Sequence, residues 1–169
     1  MSKLAHFIGT CGGVGHLRPA PGTWGSALAY PILFLCHVLF GVGTPYILIA
    51  LICLLVGAGL WAADRMRRDG WGEDPSEVVI DEVAGQLIAL LPISFGAANN
   101  GVSLLALWPG LIAAFVLFRL FDIWKPGPVG WADRKHGAIG LMADDLIAGV
   151  MAAIGVIILA GIAHGALGL

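Results

Sequence analysis

Long stretches of this chain carry no Lys, Arg, Asp or Glu, and short polar stretches separate them. The charge-free runs are 19–63, 83–118 and 146–169, of 45, 36 and 24 residues. About 20 apolar residues in a helix cross a bilayer core. The first two lengths therefore predict helical hairpins, and the third a single crossing. Turn signals divide the two long runs. Gly41-Val42-Gly43-Thr44-Pro45 breaks the first and Gly96-Ala97-Ala98-Asn99-Asn100-Gly101 the second, since Gly is flexible and Pro cannot continue a helix. Five spans are expected, near 24–40, 46–63, 82–95, 102–124 and 145–164. The third is short and holds Pro92, so it is expected to be tilted, kinked or partly inserted. Pro31 is expected to bend the first.

Composition agrees. The chain is 59% hydrophobic and 12% charged, with mean hydropathy +0.91, against about 45–50% and about 25% in soluble domains. A small soluble domain buries only about 70% of its unfolded surface, too little to hide so much apolar area. Residues 1–169 are read as one all-α domain, a polytopic membrane helical bundle with three polar loops. Two spans separate each polar stretch from the next, so all three loops share one membrane face. All nine Lys and Arg lie there, and the positive-inside rule makes that face cytoplasmic. Met-Ser-Lys-Leu-Ala-His-Phe is too short for a signal peptide with its own apolar core. Arg65, Arg67 and Arg68 suit anchoring to anionic headgroups, and the cysteines show no metal spacing. The net charge of −2 says little about partners. No nucleic-acid partner is expected, and no nucleotide either, since G-x-x-x-x-G-K-[ST] is absent.

The polar stretches carry the candidate chemistry. Asp74, Glu77, Asp81 and Glu82 precede one apolar helix, and Asp144-Asp145 another. Acids favour helix N-termini, but capping needs fewer of them. Carboxylates brought together repel unless a cation neutralises them, and hard divalent cations take oxygen ligands. A shared Mg²⁺ site at Asp81, Glu82, Asp144 and Asp145 is thus set against independent caps. Arg119, Asp122 and Lys125 recur every three residues on one flank of a helix. They form either an intrahelical ion-pair ladder or an anion site. Lys125-Pro126-Gly127-Pro128 should end that helix in an extended turn. The glycine-rich stretch 9–26 suits a backbone nest for an anion, with Thr10, Thr23 and Ser26 as hydroxyl donors and Arg18 as a cation. Cys11 and Arg18 are one residue too far apart for a cysteine-phosphatase loop, and no D-x-D pair occurs. Metal-assisted attack on phosphate remains.

These motifs resemble the phosphatidylglycerophosphatase A family. The resemblance rests on a glycine-rich start running into P-x-A-P-G-T-x-G-S (Pro19 to Ser26), and on D-x-x-x-x-V-x-D-E (Asp74, Val79, Asp81, Glu82). It continues through F-R-x-x-D-x-x-K-P-x-P (Phe118 to Pro128), D-R (Asp133, Arg134), H-G-x-x-G (His136 to Gly140) and M-x-D-D (Met142, Asp144, Asp145). Departures are small: Cys11 within the glycine loop and Gly137-Ala138 in place of a glycine pair. The resemblance implies a Mg²⁺-dependent phosphatase of the bacterial inner membrane that converts a phospholipid substrate, phosphatidylglycerophosphate, to phosphatidylglycerol. In that setting Arg119 and Lys125 are expected to contact the terminal phosphate. Arg18, Gly22, Thr23, Ser26, Arg134 and His136 are further phosphate-binding candidates. Water is the expected nucleophile, with Asp122 or Asp74 as base and His136 as a third candidate; an aspartyl-phosphate is the rival route. A small transporter and another Mg²⁺-dependent headgroup enzyme are the other classes. Transport sites usually lie near the midplane, where no Lys, Arg, Asp or Glu is placed here. The D-x-x-D-G series of CDP-alcohol phosphotransferases is missing.

Overall fold

The computed structural model describes residues 2–72 and 75–167. Its helices are α1 (Lys3–Gly9), α2 (Pro21–Phe40), α3 (Thr44–Arg68), α4 (Ile80–Asn100), α5 (Trp108–Trp124), α6 (Pro128–Asp133) and α7 (Ala138–Leu167). The described residues contain no strand, and the all-helical membrane architecture expected from the charge-free runs is the one observed. Four stretches are long and apolar enough to cross a bilayer: Pro21–Arg68, Ile80–Asn100, Leu104–Trp124 and Ala138–Gly165. The first has 48 residues, more than twice what one crossing needs, and a 3-10 turn at Gly41–Gly43 divides it into α2 and α3. The Thr44 hydroxyl ties that turn, reaching the Gly41 and Cys36 carbonyls at 2.5 and 3.3 Å.

The second expected break falls at the last residue of its stretch. α4 does not stop near residue 95 but continues through Gly96 and both asparagines, ending where Gly101 turns left-handed at φ 62°. In an apolar setting an unpaired backbone group is costly, so the helix runs on through residues that would end it in water. Pro31 and Pro92 likewise stay inside α2 and α4. α7 begins at Ala138, seven residues before the expected span.

α4 is the axis of the bundle. Of its span, 67% is buried, against 22% in each of the other three. The outer helices instead expose large apolar side chains, among them Leu35, Leu54, Val116 and Ile157, a surface suited to lipid and not to water. Glycines set how closely the helices approach α4. A Cβ on Gly25 of α2 would lie 2.9 Å from Val79, and one on Gly59 of α3 would lie 3.1 Å from Ile80. Both ends of the α2–α3 hairpin remote from its turn thus sit beside the start of α4. α7 runs parallel to α4, with Asp145 near Asp81 and a Cβ on Gly149 colliding with the Gly85 carbonyl. A Cβ on Gly85 would in turn lie 2.6 Å from the Phe118 ring of α5. All three polar stretches are gathered at one end of the bundle.

This crossing generates a stability prediction. Gly149→Leu forces backbone apart and should cost about 1–3 kcal/mol or more, read as a lower thermal midpoint in detergent. Gly161→Leu, whose Cβ meets nothing within 4 Å, should leave the midpoint unchanged. Equal midpoints for the two variants would refute the close crossing.

Candidate active site

The start of α4 carries Asp81 and Glu82 at its second and third positions, after Val79, which makes no side-chain cap. Asp81 is buried, and its Oδ1 accepts from the Glu82 N–H at 3.1 Å. On α7, Asp144 and Asp145 are both buried and lie in the second turn. Capping therefore does not explain the α7 pair. Oxygen atoms of Asp81, Glu82 and Asp145 all lie within 4.8 Å of one another. Glu82 Oε2 and Asp145 Oδ1 have no hydrogen-bond partner among the described residues. Three carboxylates, two of them with an orphaned buried oxygen, form an all-oxygen donor set, which fits a hard divalent cation such as Mg²⁺.

Asp144 is directed elsewhere. Its Oδ2 accepts from Lys125 Nζ at 2.8 Å, and Lys125 also pairs with Asp133. Lys125 reaches both because α5 ends on it: its φ is 50°, and its N–H donates to Phe121 O at 2.8 Å. Burial pulls the Lys125 ammonium down, but its bonds to Asp133 and Asp144 outweigh that and hold it above the ordinary lysine value. Lys125 is thus a fixed cation. The expected ladder on α5 exists only in part: Arg119 pairs with Asp122 at 2.5 Å, while Lys125 has left the helix. The turn after it is short, since α6 starts at Pro128.

Between these groups lies a cavity of about 290 Å³, lined by Asp81, Glu82, Asp122, Lys125, Asp144 and Asp145, with Lys135 and His136 at its rim. Arg119 stands behind this wall. Its Nη1 meets Ser26 Oγ at 3.4 Å, and its buried Nε has no partner among the described residues. Ser26 is fully buried and donates to the Gly22 carbonyl at 2.9 Å. It supports Arg119 and presents no hydroxyl to the cavity. Gly22 is close enough that a Cβ there would collide with the Glu82 carboxylate; Thr23 is half-buried beside it. Arg18 is exposed and pairs with Glu77 at 3.6 Å, away from the cavity, and Arg134 is exposed on the far side of α6. Thr10 is likewise spent, donating to the His6 carbonyl at 2.8 Å. Asp74 lies outside the described residues. Asp133 and Lys135 carry no role in the sequence reading, yet both line the cavity. Their place in the short segment around α6, next to the D-R and H-G-x-x-G motifs, is the signal that could have found them.

Cys11 is no nucleophile. Burial pushes its thiol up to about 12, and the Glu82 charge adds to the effect, so the thiolate is absent at neutral pH.

The sequence matches the phosphatidylglycerophosphatase A family over residues 7–160. The chain belongs to that family. Curated phosphatidylglycerophosphatase A proteins of Escherichia coli K12 and Haemophilus influenzae are each 34% identical to it. The first alignment covers 90% of this chain and 81% of that protein, the second 88% and 84%. A Bacteroides thetaiotaomicron protein, named provisionally as a phosphatidylinositol-3-phosphatase, is 40% identical over 88% of this chain and 89% of its own length. No solved structure matches. The region shared with the phosphatidylglycerophosphatase A family contains all the cavity residues named above.

The carboxylate cluster predicts a trade between stability and metal binding. In EDTA, Asp145→Asn should raise the thermal midpoint, because one of three mutually repelling charges is gone. Mg²⁺ at a hundred times its Kd should stabilise the native protein by about 2.7 kcal/mol and the variant far less. An Mg²⁺-induced shift of equal size in both proteins would rule out Asp145 as a ligand.

Proposed function

We propose that this protein hydrolyses phosphatidylglycerophosphate to phosphatidylglycerol and inorganic phosphate, with Mg²⁺ as cofactor. The observation that carries the reading is the juxtaposition of the Asp81, Glu82 and Asp145 cluster with the fixed Lys125 cation in one cavity. A phosphomonoester dianion needs both a cation site and a positively charged wall. Asp81, Glu82 and Asp145 would hold Mg²⁺. When bound, the ion supplies neutralisation of phosphoryl oxygens and a lowered pKa for water.

The chain's own residues do the rest. Lys125 has three donors, two of them engaged by Asp133 and Asp144, and the third is free to take a phosphoryl oxygen. Lys135 and His136 add donors at the rim. Asp122, held by Arg119, is the base that removes a proton from the attacking water. The water oxygen bonds to phosphorus, the bond to the glycerol oxygen breaks, and that oxygen leaves as the alcohol once protonated. Arg119 acts by positioning Asp122. The same reading puts the protein in the bacterial inner membrane with its cavity toward the cytoplasm. The nine Lys and Arg of the polar segments support that orientation.

A second reading, cleavage of a phosphoinositide 3-phosphate, is favoured by the Bacteroides relative. Phosphate release from both lipids by the purified protein, with Mg²⁺ or EDTA, separates the two. Release from phosphatidylglycerophosphate only with Mg²⁺ is expected, and none in either condition refutes the proposal. Lys125→Ala should lower kcat by about 10² or more, the scale for losing one donor to transition-state charge; unchanged kinetics would reduce Lys125 to a structural ion-pair partner. Hydrolysis of a substrate chiral at phosphorus should proceed with inversion. Retention would instead establish an aspartyl-phosphate intermediate.

A further inference from the structure

A second cavity, of about 450 Å³, lies within the apolar part of the bundle between α4 and α7. Ile88, Pro92 and Phe95 form one wall and Ala153, Ile154 and Ile157 the other. Ile154 and Ile157 are 52% and 59% exposed, so it is a groove open to the side. The two helices touch backbone to backbone at Gly85 and Gly149 and leave this wedge where bulkier residues follow.

The groove and the carboxylate cluster share one helix face. Asp81, Gly85, Ile88, Pro92 and Phe95 fall at intervals of four, three, four and three residues, which keeps them on one stripe of α4. Along the axis, Ile88 lies about 10 Å and Phe95 about 21 Å below Asp81 at 1.5 Å per residue. A bilayer leaflet's hydrocarbon is about 15 Å deep, so with the headgroup in the polar cavity the groove runs from the lower half of that leaflet to past the bilayer midplane, where the terminal part of an acyl chain lies. The geometry points to this groove as the binding site for one acyl chain of the phospholipid substrate. The inference rests on the function proposed above. In a bilayer, burying an apolar groove gains nothing over contact with bulk lipid. What favours the substrate's own chain is its tether: with the phosphorylated headgroup held in the cavity, the chain is presented to the groove at high effective concentration.

The test uses the full chain in nanodiscs with phosphatidylglycerophosphate bearing a mid-chain diazirine. After irradiation, label is expected on the segments 88–95 and 150–157. Unlabelled phosphatidylglycerophosphate should displace it, and phosphatidylcholine at the same concentration should not. Ala153→Trp, which fills the groove, should raise KM for the long-chain substrate and leave kcat/KM for a dihexanoyl analogue unchanged. Wild-type labelling decides the matter even if that variant does not fold. Label spread over every lipid-facing helix, or displaced equally by phosphatidylcholine, would reduce the groove to ordinary lipid contact. If label is displaced as expected but no phosphate is released, the groove stands and the proposed reaction falls.

Discussion

Three carboxylates held within 4.8 Å of one another, at the end of an apolar bundle, are the constraint around which this protein is arranged. At that distance each pair of charges repels by roughly 3 kcal/mol at an effective dielectric of about 20. Apolar helices offer such charges no compensation, so a proton or a cation must relieve the repulsion. The surrounding cations are already committed: Arg119 to Asp122, Lys125 to Asp133 and Asp144. These cations pair with other carboxylates, and Asp81, Glu82 and Asp145 form a cluster open to the cavity.

Holding it open is the task of backbone packing. Gly22 and Gly25 let α2 lie against Glu82 and Val79, and Gly85 with Gly149 lets α7 lie against α4. A side chain at any of these positions would collide with the neighbouring helix or, at Gly22, with the Glu82 carboxylate itself. Small residues also suit helix contact in lipid, where van der Waals packing replaces the hydrophobic effect as the main attraction.

Much of this was legible in the sequence, for a physical reason. Charge is so costly in hydrocarbon that the positions of Lys, Arg, Asp and Glu alone mark the helix ends and gather the polar stretches at one end. Asp81, Glu82 and Asp145 could be singled out because acids paired at helix starts exceed what capping needs. The bond of Asp144 to Lys125 was not legible: α5 ends on Lys125 in a left-handed conformation, which brings that cation within 2.8 Å. No local pattern announces that contact. Arg18, Ser26 and Thr10 misled in another way: donor chemistry is written in the residue type, but which acceptor is nearest is a property of the fold. The break within 96–101 comes only at Gly101 because helix-breaking rules come from water, where an unwound backbone has solvent partners. α1, only seven residues long, is too short for apolar periodicity to reveal.

The position of the polar cavity has a consequence for how a reaction there ends. It sits at a phase boundary, with water on one side and hydrocarbon beneath. A phosphate cut from a lipid in that cavity escapes into three dimensions and is diluted, while the apolar remainder spreads within a two-dimensional sheet. The two products then meet again only by a chance encounter between phases. Separation by solubility adds to the favourable free energy of hydrolysis in water and opposes the reverse encounter.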